Sequence, residues 1–195
     1  MEKLVYAVEG LDRLGKSTLI QGIRNQLGYY EVIHFSKPQK LDAYSRASDQ
    51  SLSFAGIPLA SQQVYQYQHE SFLNSMLIAR SGARIIFDRW HLGEAVYSPL
   101  YRGYSGDYVF KLEESTGLSG YSGVRLILLT EDFDIAEHFV DDGESFDITK
   151  RREEQELFLA AFERSKVRDK RIICVTDPGL GGFKPKAQVL AEALE

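Results

Sequence analysis

Five short apolar runs punctuate the chain, at Leu4 to Val8, Val32 to Phe35, Arg84 to Phe87, Val124 to Leu129 and Arg171 to Val175. Each is too short for a long helix and rich in β-branched or aromatic residues, so each predicts a mostly buried strand. Between them the apolar positions fall at helical spacing: Tyr65, Phe72, Met76 and Ala79 precede the third run, and Leu157, Phe158, Ala161 and Phe162 precede the fifth. Phe72, Leu73, Met76 and Leu77 read as core. Lys186 to Glu195 sets Val189, Leu190, Ala193 and Leu194 on one side of a short closing helix. Strands alternating with helices predict an α/β fold, a five-stranded parallel sheet with helices on both faces. No internal repeat or linker divides the 195 residues, an ordinary size for one domain, so 1–195 is expected to be a single domain. Ser36 to Ser61 is the least regular stretch, and a long irregular insertion in a compact domain usually carries function or motion.

Composition changes this picture mainly by exclusion. With 23 basic and 28 acidic side chains the net charge is −5, which disfavours a protein that coats nucleic acid but allows a small anionic ligand in a locally basic pocket. The aromatic content, with only 16 Gly and 5 Pro, argues against disorder or low complexity. A lone cysteine, Cys174, makes neither an intrachain disulfide nor a multi-thiolate zinc site, and its apolar strand marks it as an inert core residue. His34, His69, His91 and His138 lack metal-ligand spacing, so no structural zinc is expected. The first residues, MEKLVYAVEG, run into a strand without a basic and apolar leader, and no stretch approaches the roughly 20 apolar residues of a membrane span. A reducing, cytoplasmic setting is expected.

The first strand is followed by Gly10, Leu11, Asp12, Arg13, Leu14, Gly15, Lys16, Ser17 and Thr18. This fits the phosphate-loop pattern G-x-x-x-x-G-K-S/T between a strand and a helix. Glycines let the backbone wrap a phosphate, and successive amide N–H groups with the positive end of the helix hold the anion. Lys16 is expected on the β- and γ-phosphates of ATP and the Ser17 hydroxyl on Mg²⁺. The third strand ends IIFDRW, which brings Asp88 and Arg89 to the carboxyl edge of a central parallel strand, where open α/β sheets bind ligands. Asp88 resembles a Walker B carboxylate, suited to Mg²⁺ or a substrate hydroxyl, and Arg89 offers a planar fork for phosphate oxygens. The alternative for this pair is a structural ion pair at a strand end.

The strings VEGLDRLGKST and IIFDRW together resemble the thymidylate kinase family of nucleoside monophosphate kinases, including its divergent phage-encoded members. The resemblance implies a single P-loop NTPase domain with a lid. It implies that Asp12 contacts the deoxyribose of the acceptor, that Arg13 steadies the transferring phosphoryl group, that Arg89 holds the acceptor phosphate, and that Glu9 lies near Mg²⁺ and the acceptor. The family's lid maps to Asp141 to Arg152, whose Lys150, Arg151 and Arg152 would close over ATP. Lys150 with Glu154, and Arg152 with Glu156, equally suit surface i,i+4 pairs. Lys37 stands where the family has an acceptor-phosphate arginine, and an exposed loop lysine is the alternative. For the base pocket the resemblance points to Tyr65 as a stacking ring and Gln68 as a base-edge partner beside His69, with no arginine in that helix. After Asp88, Tyr97 suits a wall of the acceptor pocket, and Glu94 a sugar hydroxyl or an exocyclic group. Tyr101, Arg102 and Tyr104 form an aromatic and basic cluster without an assigned place. The resemblance also implies a homodimer.

The expected activity is Mg²⁺-dependent transfer of the ATP γ-phosphoryl group to a deoxyribonucleoside monophosphate, dTMP above all. Two alternatives stay open. One is a kinase acting on a hydroxyl of a deoxynucleoside or modified base, with Glu9, Asp88 or Glu94 as the base. The other is a regulatory ATPase that uses the loop without an acceptor.

Overall fold

Every residue of Val5–Gly10 (β1) is buried, as in a central strand covered on both faces. It pairs in parallel with Ile85–Asp88 (β3) on one edge and with Val124–Thr130 (β4) on the other. Glu31–His34 (β2) extends the sheet beyond β3, and Asp169–Cys174 (β5) extends it beyond β4. The result is a five-stranded parallel sheet in the order β2-β3-β1-β4-β5. All five apolar runs are therefore strands, with ends moved by one or two residues. The computed structural model describes residues 4–35, 59–134 and 148–195.

The helices are Lys16–Leu27 (α1), Leu59–Ala79 (α2), His91–Tyr97 (α3), Tyr108–Ser115 (α4), Arg151–Arg164 (α5) and Lys186–Leu194 (α6). On one side α1 packs with α6, whose Leu190 fits over Gly22: a Cβ there would lie 3.1 Å from the leucine Cδ2. On the other, α3 packs against α5 and α2 against α4. The inward stripe of α2 is Gln68, Phe72, Ser75, Met76 and Ala79, all buried at helical spacing. Leu77 lies off that stripe and is 51% exposed, which corrects its reading as core. Phe87 and Trp90 stack with centroids 4.7 Å apart, and the Trp90 indole donates to Ser75 Oγ at 2.7 Å.

Beyond β5, Thr176–Asp177 (β6) and Gly182–Phe183 (β7) form a small antiparallel hairpin, too short to leave a periodic signal. As an edge strand β5 is half exposed, and Cys174 is only partly buried, its thiol 3.3 Å from Thr176 Oγ1. Of the irregular stretch Ser36 to Ser61, residues 36–58 lie outside the described residues and 59–61 open α2. Of the lid segment, residues 141–147 lie outside them, Ile148–Lys150 form a 3₁₀ turn, and Arg151 and Arg152 start α5. Among the described residues no helix is long and apolar enough to cross a membrane.

Candidate active site

The phosphate loop is shaped by two glycines. Gly10 ends β1 at φ 131° beside Leu129, and a Cβ there would run into the Leu129 carbonyl oxygen, so only glycine lets the chain leave the sheet so close to β4. Gly15, at φ 82°, turns the chain into α1. Between them Leu11 and Leu14 are buried and pin the loop to the core. Arg13 and Arg89 both sit in the left-handed region, at φ 67° and 62°, which disfavours non-glycine residues and is held by the surrounding structure.

Lys16 curls back into the loop, donating to the carbonyls of Gly10 at 3.0 Å and Leu11 at 2.6 Å, with Asp12 Oδ1 3.7 Å away. Burial, and then the neighbouring Arg89 cation, pull its ammonium down to about 8, against the opposing carboxylates of Asp12, Asp88 and Glu9. A polyphosphate in the loop would offset both causes. Arg89 donates its backbone N–H to Val8 at 2.9 Å, and its guanidinium pairs with Asp12, so the strand end of β3 is tied to the loop. Asp88 lies in register beside His34, whose Nδ1 is 3.0 Å from Asp88 Oδ2. Ser17 and Thr18 are exposed in the first turn of α1. They line a groove of about 720 Å³ that also takes in Arg13, Gln21, Phe183 and Lys184.

On the other side of the loop a narrow cleft is lined by Glu9, Asp12, Phe35, Gln68, Phe72, Arg89, Glu94, Tyr97, Arg102 and Phe158. Glu9, 1% exposed, accepts from the backbone N–H groups of Trp90 and Leu92 at 2.9 Å and of Gly93 at 3.3 Å. Burial raises its carboxyl above the ordinary range, opposed by the His91 charge and these three donors. Phe35 and Phe72 stack at 5.1 Å, and Tyr97 meets Phe158 edge-on at 5.6 Å. Burial, then the Glu154 charge, hold the Tyr97 phenol protonated. Gln68 is 5% exposed. Tyr65 does not line this cleft. It packs edge-on against Tyr108 and Tyr104, at 4.9 and 5.5 Å, so the aromatic walls are Phe35, Phe72, Trp90, Tyr97 and Phe158 instead.

No protein-family model and no curated protein sequence matches this chain. Its fold, however, has clear counterparts among solved structures. Thymidylate kinase from Candida albicans aligns over 98% of this chain and 88% of its own, with a TM-score of 0.58 and 19% identity. YorR from Bacillus subtilis, solved in complex with phosphorylated GDP, aligns over 87% and 85%, with a TM-score of 0.54 and 15% identity. The fold is that of the P-loop kinases.

Within this P-loop fold the basic residues at the start of α5 divide. Arg151 donates from Nη2 to the Asp12 carbonyl at 2.9 Å and from Nε to Glu131 Oε1 at 2.6 Å. Arg152 turns outward, 65% exposed, to Asp134 and the Phe133 ring. Lys150 sits over the Tyr101 ring at 5.4 Å, and the Tyr101 hydroxyl donates to the buried Glu154 at 2.5 Å. Lys37 lies outside the described residues. Glu131 is a site neighbour that the sequence reading lacks, and Glu154, read there as a surface partner of Lys150, is instead buried and held by Tyr101. Glu131 follows the end of β4 as Asp88 closes β3, so the strand-end rule would have found it.

Behind the cleft, α3 is anchored from below. His91 and Glu113 are fully buried, with His91 Nε2 2.6 Å from Glu113 Oε1. The same carboxylate accepts from the Ser165 hydroxyl and the Lys166 N–H, each at 2.6 Å. No group of three or more His, Cys, Asp or Glu among the described residues forms a metal cage. A magnesium ion needs no cage, since it usually takes one or two protein oxygens and completes its shell with phosphates and water. The exposed Ser17 hydroxyl at the helix start and the Asp88 carboxylate at the strand end, two hard oxygen donors on either side of the loop, fit that donor set.

Proposed function

We propose that this chain is a Mg²⁺-dependent kinase that transfers the γ-phosphoryl group of ATP to the 5′-phosphate of a deoxyribonucleoside monophosphate, with dTMP as the acceptor. The observation that carries this reading is the Asp12–Arg89 pair, which sets a second cation beside Lys16 at the junction of the P-loop and the aromatic cleft. A nucleotide-dependent switch has no use for a second anion site. A nucleotide-phosphorylating kinase needs one, because donor and acceptor both bring phosphates. The fold likeness to a thymidylate kinase, and to a protein that bound a phosphorylated nucleotide, supports the same direction.

In this reading an oxygen of the acceptor phosphate attacks the γ-phosphorus, the bond from that phosphorus to the β–γ bridging oxygen breaks, and ADP leaves with the electron pair. The nucleophile is already anionic, so no proton has to be removed. Lys16 and the loop amides hold the β- and γ-phosphates, with Arg13 beside them, and Arg89 exchanges Asp12 for the acceptor phosphate. Asp12 and Glu9 face the acceptor sugar, and Gln68 and Tyr97 face its base. Ser17 and Asp88 would hold Mg²⁺, which would neutralise charge on the donor phosphates. Of the basic residues entering α5, Arg151 is the charge-neutralising one, since Arg152 points to solvent. A phosphate acceptor is favoured over a hydroxyl because the candidate bases are already engaged, Glu9 and Glu94 by buried protein donors and Asp88 by His34.

The test is ADP formation from ATP and Mg²⁺ with and without dTMP, in the wild type and in Arg89→Gly. Glycine tolerates the φ of 62° at this position, so the variant removes the guanidinium without adding backbone strain. We expect dTMP to stimulate wild-type turnover strongly, and Arg89→Gly to lower kcat/KM for the acceptor by about 10²–10³-fold. Steady hydrolysis unaffected by any nucleotide acceptor, or an unchanged kcat/KM in Arg89→Gly, would sink the assignment.

A further inference from the structure

Beside the phosphate loop lies a buried carboxylate that phosphoryl transfer leaves without a task. Glu131 directly follows β4 and is 3% exposed. One side chain holds its main chain at two points: the Glu131 N–H donates to Gln155 Oε1 at 2.8 Å, and its C=O accepts from Gln155 Nε2 at 2.9 Å. Its backbone is thus clamped to α5. The carboxylate is engaged on one oxygen only. Oε1 accepts from Arg151 Nε at 2.6 Å, whereas Oε2 is buried with no hydrogen-bond partner among the described residues.

The orphan oxygen is unexpected, because a remedy stands next to it. Two N–H groups along one edge of a guanidinium match the two oxygens of a carboxylate, and such bidentate pairs are the strong ones. Arg151 makes the Nε half of that pair with Glu131 but directs Nη2 to the Asp12 carbonyl at 2.9 Å. A buried acceptor left unpaired costs stability, and each one calls for an explanation. The explanation lies in what the Asp12 carbonyl controls.

In a planar trans peptide the C=O and the following N–H point in opposite directions. Holding the Asp12 carbonyl toward α5 therefore turns the Arg13 N–H away from α5. The conformation of Arg13 depends on the same peptide. Its φ of 67° lies in a region that non-glycine residues avoid, and rotation of the Asp12–Arg13 peptide is the simplest way to leave it. The bond from Arg151 opposes that rotation.

We infer that Glu131 is a positioning residue of the phosphate loop: through Arg151 it fixes the Asp12–Arg13 peptide and so presents the Arg13 N–H to a donor phosphate. This rests on the loop being the donor site. Arg151 then acts by its grip on the loop as well as by its charge.

The experiment measures the Kd of a non-hydrolysable ATP analogue with Mg²⁺ by calorimetry, alongside thermal unfolding. The proteins are the wild type, Glu131→Gln, Glu131→Leu, Arg151→Met and the double variant Glu131→Leu/Arg151→Met. Glu131→Leu should weaken binding about tenfold, and Arg151→Met at least as much. Glu131→Gln keeps an oxygen for Arg151 Nε and should weaken it by no more than about threefold. In the Arg151→Met background the Glu131 substitution should add less than about twofold, because the carboxylate acts only through the arginine. The double variant replaces a buried, half-satisfied ion pair by apolar side chains of similar size, so it should unfold at the wild-type temperature or above. Lost affinity without lost stability is a result that a merely structural role would not give, and it keeps the test alive if Glu131→Leu alone does not fold. Affinity unchanged in the variants, penalties that multiply in the double variant, or affinity lost only in step with stability overturns the inference alone. A wild type that does not bind the analogue overturns the donor-site reading beneath it.

Discussion

Replacing Lys16 by methionine should cut dTMP-dependent ADP formation by about a thousandfold or more, while the protein unfolds at the same or a higher temperature. The two halves of that expectation have one cause. The ammonium is buried beside Arg89 and holds only loop carbonyls and a flanking carboxylate, which brings it from an ordinary 10.5 to about 8. Between those values the unfolded chain binds the proton more tightly than the folded one, so stability rises with pH across the window, and Lys16→Met should abolish that slope. Bound triphosphate reverses the balance by stabilising the cation. ATP binding near pH 8.5 (about the middle of the lower half of this window) should therefore take up a fraction of a proton, measurable as a dependence of binding heat on buffer ionisation enthalpy. The same dependence in Lys16→Met would show that the proton belongs to another group.

The largest loss of stability is expected from Glu113→Ala. His91 and Glu113 are both fully buried, and the carboxylate also serves Ser165 and Lys166, so truncation strands three donors in the core. Breaking one side of such a buried pair typically costs about 3–5 kcal/mol, and for a domain of this size that lowers Tm by roughly 10 °C. Burial on its own would raise the Glu113 carboxyl, but the hydrogen bond and charge of His91, with Lys166 and Ser165, outweigh it and leave the group below its ordinary range. A lowered carboxyl contributes stability above its unfolded value of about 4.5, lost as the pH falls through the folded value. Thermal unfolding followed from about pH 6 down to pH 3 should show a steep wild-type decline that is flatter in Glu113→Gln. Identical slopes would assign acid sensitivity elsewhere. Because α3 carries Glu94 and Tyr97 into the cleft, a weakened anchor should also raise acceptor KM.

What the chain discloses about this site follows from how local each signal is. The loop from Gly10 to Thr18 is legible because its chemistry is contiguous: glycines where the backbone must turn, then Lys16 and Ser17 at the helix start. Asp88 and Arg89 are legible for a similar reason, since the end of a central parallel strand is a fixed address. Helical spacing finds α2 but not its orientation, so Leu77 reads as core, and the resemblance points to Tyr65 as a stacking ring, when the buried stripe passes through Gln68 and Phe72. Arg102 is visible as a charge among tyrosines, yet its place depends on a π-helical turn and on Glu94, eight residues away. Glu131 is silent because its partner Arg151 lies twenty positions on, and the Asp12 carbonyl it helps to serve is 139 positions from that arginine.

That last contact has a mechanical meaning. Arg151 is the first residue of α5, and its guanidinium clasps the peptide of Asp12 while Glu131, just past the end of β4, holds it from the other side. The helix start and the P-loop are thus hinged on a shared pin: neither can be displaced without dragging on the other or unfastening it. A shift of the start of α5 would therefore bear directly on the Asp12 peptide, so the helix and the loop proposed to hold the donor phosphates share one point of restraint.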